Sequence, residues 1–206
     1  MRFVRNVVLT AIFGATLHAT TVQYNTTGSF AGGFATSVSD FVNFTDGTGG
    51  IATITFDFDL SDSATSTGSP TSANFGTFVA TVNNSDTITI PLTAFTLTIN
   101  QTSPGSNDGP LVISGFLSSG TISQGSSTVS VTFSPNSGNI DDTTVPGTAS
   151  YALNTASILP QTSGSSTLTG TVTYTAQGEG EAPEPATFAL MGGGLMALGL
   201  VARRKR

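Results

Sequence analysis

The sequence predicts an all-β chain whose body is one antiparallel β-sandwich or jelly-roll-like domain. Three observations carry that prediction. Apolar residues recur at every second position through most of residues 20–177. Short clusters of Gly, Pro, Asn, Asp and Ser interrupt these runs. No stretch of the body shows a 3.6-residue apolar period, and no repeat of about 20–50 residues marks a solenoid. The 206 residues suffice for one domain of ordinary size. Serine and threonine supply 61 of them and only 9% are charged. Such polarity also suits a disordered chain, but disordered chains lack so regular an alternation.

The segments follow in order. Arg2 and Arg5 precede the apolar residues Val7, Val8, Leu9, Ile12 and Phe13, and Leu17-His18-Ala19 offers a small residue at a cut after Ala19. Residues 1–19 therefore read as a secretory signal peptide. The ectodomain is expected over residues 20–177. Ile54, Phe56, Phe58 and Leu60 alternate with Thr53, Thr55, Asp57 and Asp59, the pattern of a half-buried strand. Ile88, Ile90 and Leu92 share one parity and Phe95, Leu97 and Ile99 the other. That switch, just after Pro91, predicts a bulge or bend at Thr93-Ala94. Further strands are expected at 22–24, 38–44, 75–82, 111–117, 129–133, 149–159 and 168–175, about nine or ten in all. Turns are expected at 46–50, 61–73, 83–86, 102–110, 135–142 and 161–166. Of fourteen phenylalanines, eleven fall within residues 20–177 and can fill the core, and no cysteine is present to staple it.

The C-terminal part has a different composition. Residues 178–182 form an acidic Gly/Glu linker, followed by Pro183-Glu184-Pro185. Residues 186–202 carry no charge, and Arg203, Arg204, Lys205 and Arg206 follow. As a helix this run is roughly 26 Å long, slightly short of a hydrocarbon core of about 30 Å. It is expected to span as a transmembrane segment, with the basic cluster cytoplasmic and the body outside. The signal peptide demands the same topology.

Pro-Glu-Pro, a glycine-containing apolar segment and an arginine-rich end together resemble the PEP-CTERM sorting signal of Gram-negative bacterial surface proteins. The resemblance covers residues 183–206. It implies recognition by an exosortase, a membrane-embedded transpeptidase-like enzyme, with cleavage near Pro183-Glu184-Pro185. It also implies a setting of exopolysaccharide and biofilm. It implies nothing about the fold of the body. Similar tails occur on some ice-binding proteins, where the tail sorts rather than binds ice.

Composition excludes several function classes. No lysine or arginine lies between Asn6 and Ala202, so the body cannot release counterions from a nucleic-acid backbone. The one histidine, His18, falls within the signal peptide. A serine nucleophile then lacks a base, and a zinc site lacks nitrogen and sulfur ligands. A pair of aspartates would still satisfy a glycosidase on composition alone, but the chain reads as no enzyme. No cofactor is expected, with calcium the one candidate. Asp57 and Asp59 share a strand's polar face with Asp62 beyond, and Asp141 and Asp142 close the 136–142 loop. Calcium takes oxygen ligands of this kind, although neither group has a recognised calcium-loop spacing. The alternatives are a solvated strand face and an Asx-stabilised turn. Threonine pairs at 53/55, 87/89, 96/98 and 171/173/175 would order water as ice does only if stacked on one untwisted face. The expected function is that of an exported, exosortase-sorted surface or extracellular-matrix protein with a structural or adhesive role linked to exopolysaccharide. The alternative is a calcium- or glycan-binding module, and ice binding stands behind both.

Overall fold

A computed structural model of the chain describes residues 19–83, 86–105, 109–142, 146–157 and 165–177. Every regular element among them is a strand: β1 Thr20–Phe30, β2 Phe34–Ala35, β3 Ser39–Thr45, β4 Ile51–Asp57, β5 Asp62–Ser66, β6 Thr71–Val82, β7 Ile88–Ile90, β8 Thr93–Ser103, β9 Leu111–Leu117, β10 Gly120–Ile122, β11 Ser130–Phe133, β12 Ser137–Asp142, β13 Gly147–Leu153, β14 Ala156–Ser157 and β15 Ser166–Ala176. All pairings are antiparallel. One sheet runs β14-β11-β9-β8-β1-β5, a second β12-β13-β15-β6-β4-β3-β2, and β10 pairs with β7 in a small third. The all-β class is the one that the alternation predicts. The expected signal peptide and transmembrane segment lie outside the described residues, apart from Ala19.

The alternation works as the pleat requires. On β4, Ala52, Ile54 and Phe56 are buried while Thr53, Thr55 and Asp57 face outward. The two large sheets meet through aromatic rings. Phe30 and Phe95 come from the six-stranded sheet, Phe56 and Phe78 from the seven-stranded one. Ring centroids lie 4.9 Å apart for Phe30–Phe95, 4.7 Å for Phe56–Phe78 and 5.2 Å for Phe56–Phe95. Tyr24, Phe75 and Tyr151 form a second group of touching rings in the same core. Such contacts add about 0.5–1.5 kcal/mol per pair beyond the buried area. Gly28 leaves the rings their room, since a Cβ there would sit 2.4 Å from Phe56 Cδ1.

Four expectations need correction. Residues 61–73, expected as a turn, contain β5 and the start of β6. Residues 135–142, also expected as a turn, contain β12. The parity switch near Thr93 is a break between strands: β7 pairs with β10, whereas β8 pairs with β1 and β9. Leu92, on the apolar parity of Ile88 and Ile90, is consequently 66% exposed in that break. Leu60, expected to continue the buried face of β4, lies past the end of that strand and is exposed. Bulges lie elsewhere, one of them at Gly76. Gly76 has φ +125°, and the β6–β15 register shifts beside it. The extra residue lets Phe75 and Phe78, three apart, both reach the core.

Candidate functional site

The expected processing residues fall into two groups. Pro183, Glu184, Pro185 and the basic cluster Arg203, Arg204, Lys205 and Arg206 lie outside the described residues. Ala19 is described, exposed, and immediately precedes β1, so a cut after it would leave the first strand whole. The two ends of the domain meet. Thr20 pairs with Ser66, and the Ser66 hydroxyl accepts the Tyr174 backbone N–H at 3.0 Å. Beyond Tyr174, the Gln177 N–H donates to the Pro146 carbonyl at 2.8 Å. The tail sequence therefore starts at the same end of the domain where β1 begins.

The five aspartates do not gather. Asp57 closes β4 and is exposed. Asp141 and Asp142 follow one another on β12 and so point to opposite faces. Asp141 accepts the Thr148 hydroxyl at 2.7 Å in the open, while Asp142 is buried near Tyr174. Among the described residues, no three acidic side chains converge as a cation cage requires. Asp59 lies near enough to Asp62 to feel its charge. Burial raises the Asp59 carboxyl above its usual range, and the charge of Asp62 adds to the rise.

Asp62 is the best-held of the five. Its Oδ1 accepts the Ser63 N–H at 2.7 Å, and its Oδ2 accepts the Tyr24 hydroxyl at 3.1 Å and the Asn74 N–H at 3.3 Å. The same hydroxyl lies 2.9 Å from the Asn74 carbonyl, so its single proton is shared between the two acceptors. Burial, first, and then the carboxylates of Asp62 and Asp59 push the Tyr24 phenol far above its ordinary value. Tyr24 and Asn74 were invisible as site residues in the sequence. They lie 50 positions apart, and their one signal was that Tyr24 sits on the buried parity of β1.

The threonine pairs do not all share a face, although Thr53/Thr55 and Thr171/Thr173/Thr175 both point outward from the seven-stranded sheet. Thr53/Thr55 and Thr171/Thr173/Thr175 belong to the seven-stranded sheet, Thr96/Thr98 to the six-stranded one, and Thr89 to β7.

Comparison with known proteins identifies one segment. Residues 181–206 match the PEP-CTERM protein-sorting motif. No curated protein and no solved structure matches the chain.

Proposed function

We propose that this chain, which carries a PEP-CTERM sorting motif, is an exported bacterial surface or extracellular-matrix protein of structural or adhesive role, associated with exopolysaccharide. The motif at residues 181–206 is the observation that carries the reading. It is a substrate signal for an exosortase and implies sorting to the envelope. The domain suits that route. Its last strand, β15, ends at Ala176, and the linker and Pro183-Glu184-Pro185 follow directly in sequence. The two facing sheets agree with a sandwich ectodomain that needs no disulfide outside the cell. In this reading residues 1–19 direct export, residues 186–202 hold the precursor in the membrane of a Gram-negative-type envelope, and Arg203, Arg204, Lys205 and Arg206 fix its orientation. The enzyme acts near Pro183-Glu184-Pro185, so this protein is its substrate.

The test is replacement of Pro183, Glu184 and Pro185 by alanine in a host that contains the sorting enzyme. The expected result is a longer, membrane-retained form on fractionation and immunoblot. Unchanged processing sinks the proposal.

A further inference from the structure

Two clefts flank Asp62, one on each side of β5. The first, about 240 Å³, lies between β1, the segment before β5, and the end of β8; Gln23, Asn25 and Thr102 line it. The second, about 500 Å³, lies against β6 and β15; Ser72, Asn74 and Thr171 line it. Asp62 and Ser63 line both, so the two adjoin at the edge of the six-stranded sheet, and this adjoining pair is the path along Asp62. The second falls within the range of small-molecule sites, about 300–1,000 Å³, and the first lies just below it.

Each cleft sits at a register slip. Gln23 pairs with Ser103 but Tyr24 pairs with Gln101, which leaves Thr102 as the extra residue of a bulge. Thr167 pairs with Thr77 but Thr169 pairs with Asn74, which opens the ladder beside the second cleft. Bulges interrupt a ladder and re-aim side chains, and they gather beside functional sites. The hydroxyls and amides of Gln23, Asn25, Thr102, Ser72 and Thr171 form no side-chain hydrogen bond among the described residues. Asp62, by contrast, is fixed on three sides by Ser63, Tyr24 and Asn74. The path thus pairs a rigid acceptor with uncommitted groups that both donate and accept.

The geometry points to this path as a binding site for a neutral oligosaccharide chain. Sugar hydroxyls donate and accept, as amides and hydroxyls do, and one sugar hydroxyl can donate to Asp62. Anionic glycans are disfavoured, because no lysine or arginine lies within residues 6–202 and the nearby charges, Asp59 and Asp62, are negative. The inference deepens the exopolysaccharide association proposed above and rests on it.

The experiment is titration of the full-length protein in detergent micelles with neutral gluco-, galacto- and manno-oligosaccharides, and with alginate as the anionic control, each with and without calcium. The expected result is saturable, calcium-independent binding of a neutral oligosaccharide and none of alginate. Gln23→Ala with Asn25→Ala, and separately Ser72→Ala with Thr171→Ala, should each weaken binding about tenfold at an unchanged melting temperature. Thr102→Val keeps the side-chain shape and removes only the hydroxyl, so it serves should a double variant fold poorly. No binding of any neutral oligosaccharide at millimolar concentration, equal binding of alginate, a requirement for calcium, or undiminished binding by folded variants each overturns the inference. Processing of the tail is read separately. Failed binding with normal processing therefore rejects the glycan path alone, and failed processing with intact binding rejects the sorting proposal alone.

Discussion

Replacing Tyr151 by phenylalanine removes one oxygen and leaves the ring in place. That ring is fully buried on β13 and packs edge-on against Tyr24 and Phe75 at centroid distances of 5.9 and 6.3 Å. Its hydroxyl donates to Gln101 Oε1 at 2.8 Å, while Gln101 Nε2 donates to the Pro104 carbonyl at 2.8 Å. Gln101 is itself 4% exposed, so its carbonyl has no ready replacement donor from solvent. A buried acceptor orphaned in this way costs about 1–3 kcal/mol. Taking about 2 kcal/mol, the melting temperature of a domain of this size should fall by about 4–8 °C. Thermal unfolding followed by circular dichroism measures it. Gln101→Leu in the Tyr151→Phe background removes the orphaned carbonyl and should recover part of the loss, although it leaves the Pro104 carbonyl without its donor. A melting temperature for Tyr151→Phe equal to or above that of the parent would refute the reasoning, since the hydrogen bond would then contribute nothing net.

Alkaline pH should act through the same group. Burial raises the phenols of Tyr151, Tyr24 and Tyr174 in the folded state, so the folded protein holds these protons more tightly than the unfolded chain. Stability is then fully present below the unfolded phenol value of about 10 and declines as pH rises above it; melting temperatures across the alkaline range check the sign, and Tyr151→Phe should flatten the decline. Gly170→Ala should be far more damaging than its size suggests. The added Cβ would lie 2.0 Å from the Ala152 carbonyl oxygen and 2.8 Å from Phe75 Cε2, forcing β13 from β15. A loss of about 3 kcal/mol or more is expected, read as a lowered denaturant midpoint and as lost hydrogen-exchange protection along β13. Asp40 is 1% exposed and its Oδ2 accepts the Phe30 N–H at 2.7 Å. Asp40→Ala should cost about 1–3 kcal/mol by orphaning that N–H, whereas Asp40→Asn, which keeps an acceptor, should cost less; equal losses in chemical denaturation would contradict this.

Legibility in the sequence followed the length of the apolar run. β8, β9 and β15 have three large apolar residues at one parity, and β4 has Ala52, Ile54 and Phe56 with Phe58 just beyond, so each is legible. β5 and β12 were not. In β5 the inward positions are Ala64 and Ser66, and in β12 they are Ile140 and Asp142. β12 and β5 are edge strands that bury little, so their stability comes from the ladder and from single polar contacts. Ser66 shows how: its hydroxyl donates to the Ser69 carbonyl at 3.0 Å and accepts the Tyr174 N–H, which makes a polar side chain fit an inward position. A reading that equates serine-rich with loop misses such strands by construction. β7 failed for the opposite reason. Its parity is plain in the sequence, but parity cannot reveal that Ile88 and Ile90 pair with β10 rather than continue β8.

The sorting tail and the polar path differ in the same way. Pro183-Glu184-Pro185 and Arg203, Arg204, Lys205 and Arg206 lie close in sequence, so composition alone exposes the tail. The path along Asp62 draws on β1, β5, β6, β8 and β15, and it depends on two register slips that no periodicity reveals. Its position follows from the meeting of the ends. Thr20 and Tyr174 share Ser66 as partner, and Tyr24 and Asp62 stand one ladder segment further along the same strand pair. The path therefore lies on the flank of the domain nearer the tail. β15 completes the geometry, since it is central to its sheet and closes between β13 and β6. Without β15 the seven-stranded sheet would be split, because β13 and β6 each pair with β15. Thr171, on that strand, supplies one wall of the second cleft. Assembly of the path is thus bound to the segment of chain that leads directly into the sorting motif.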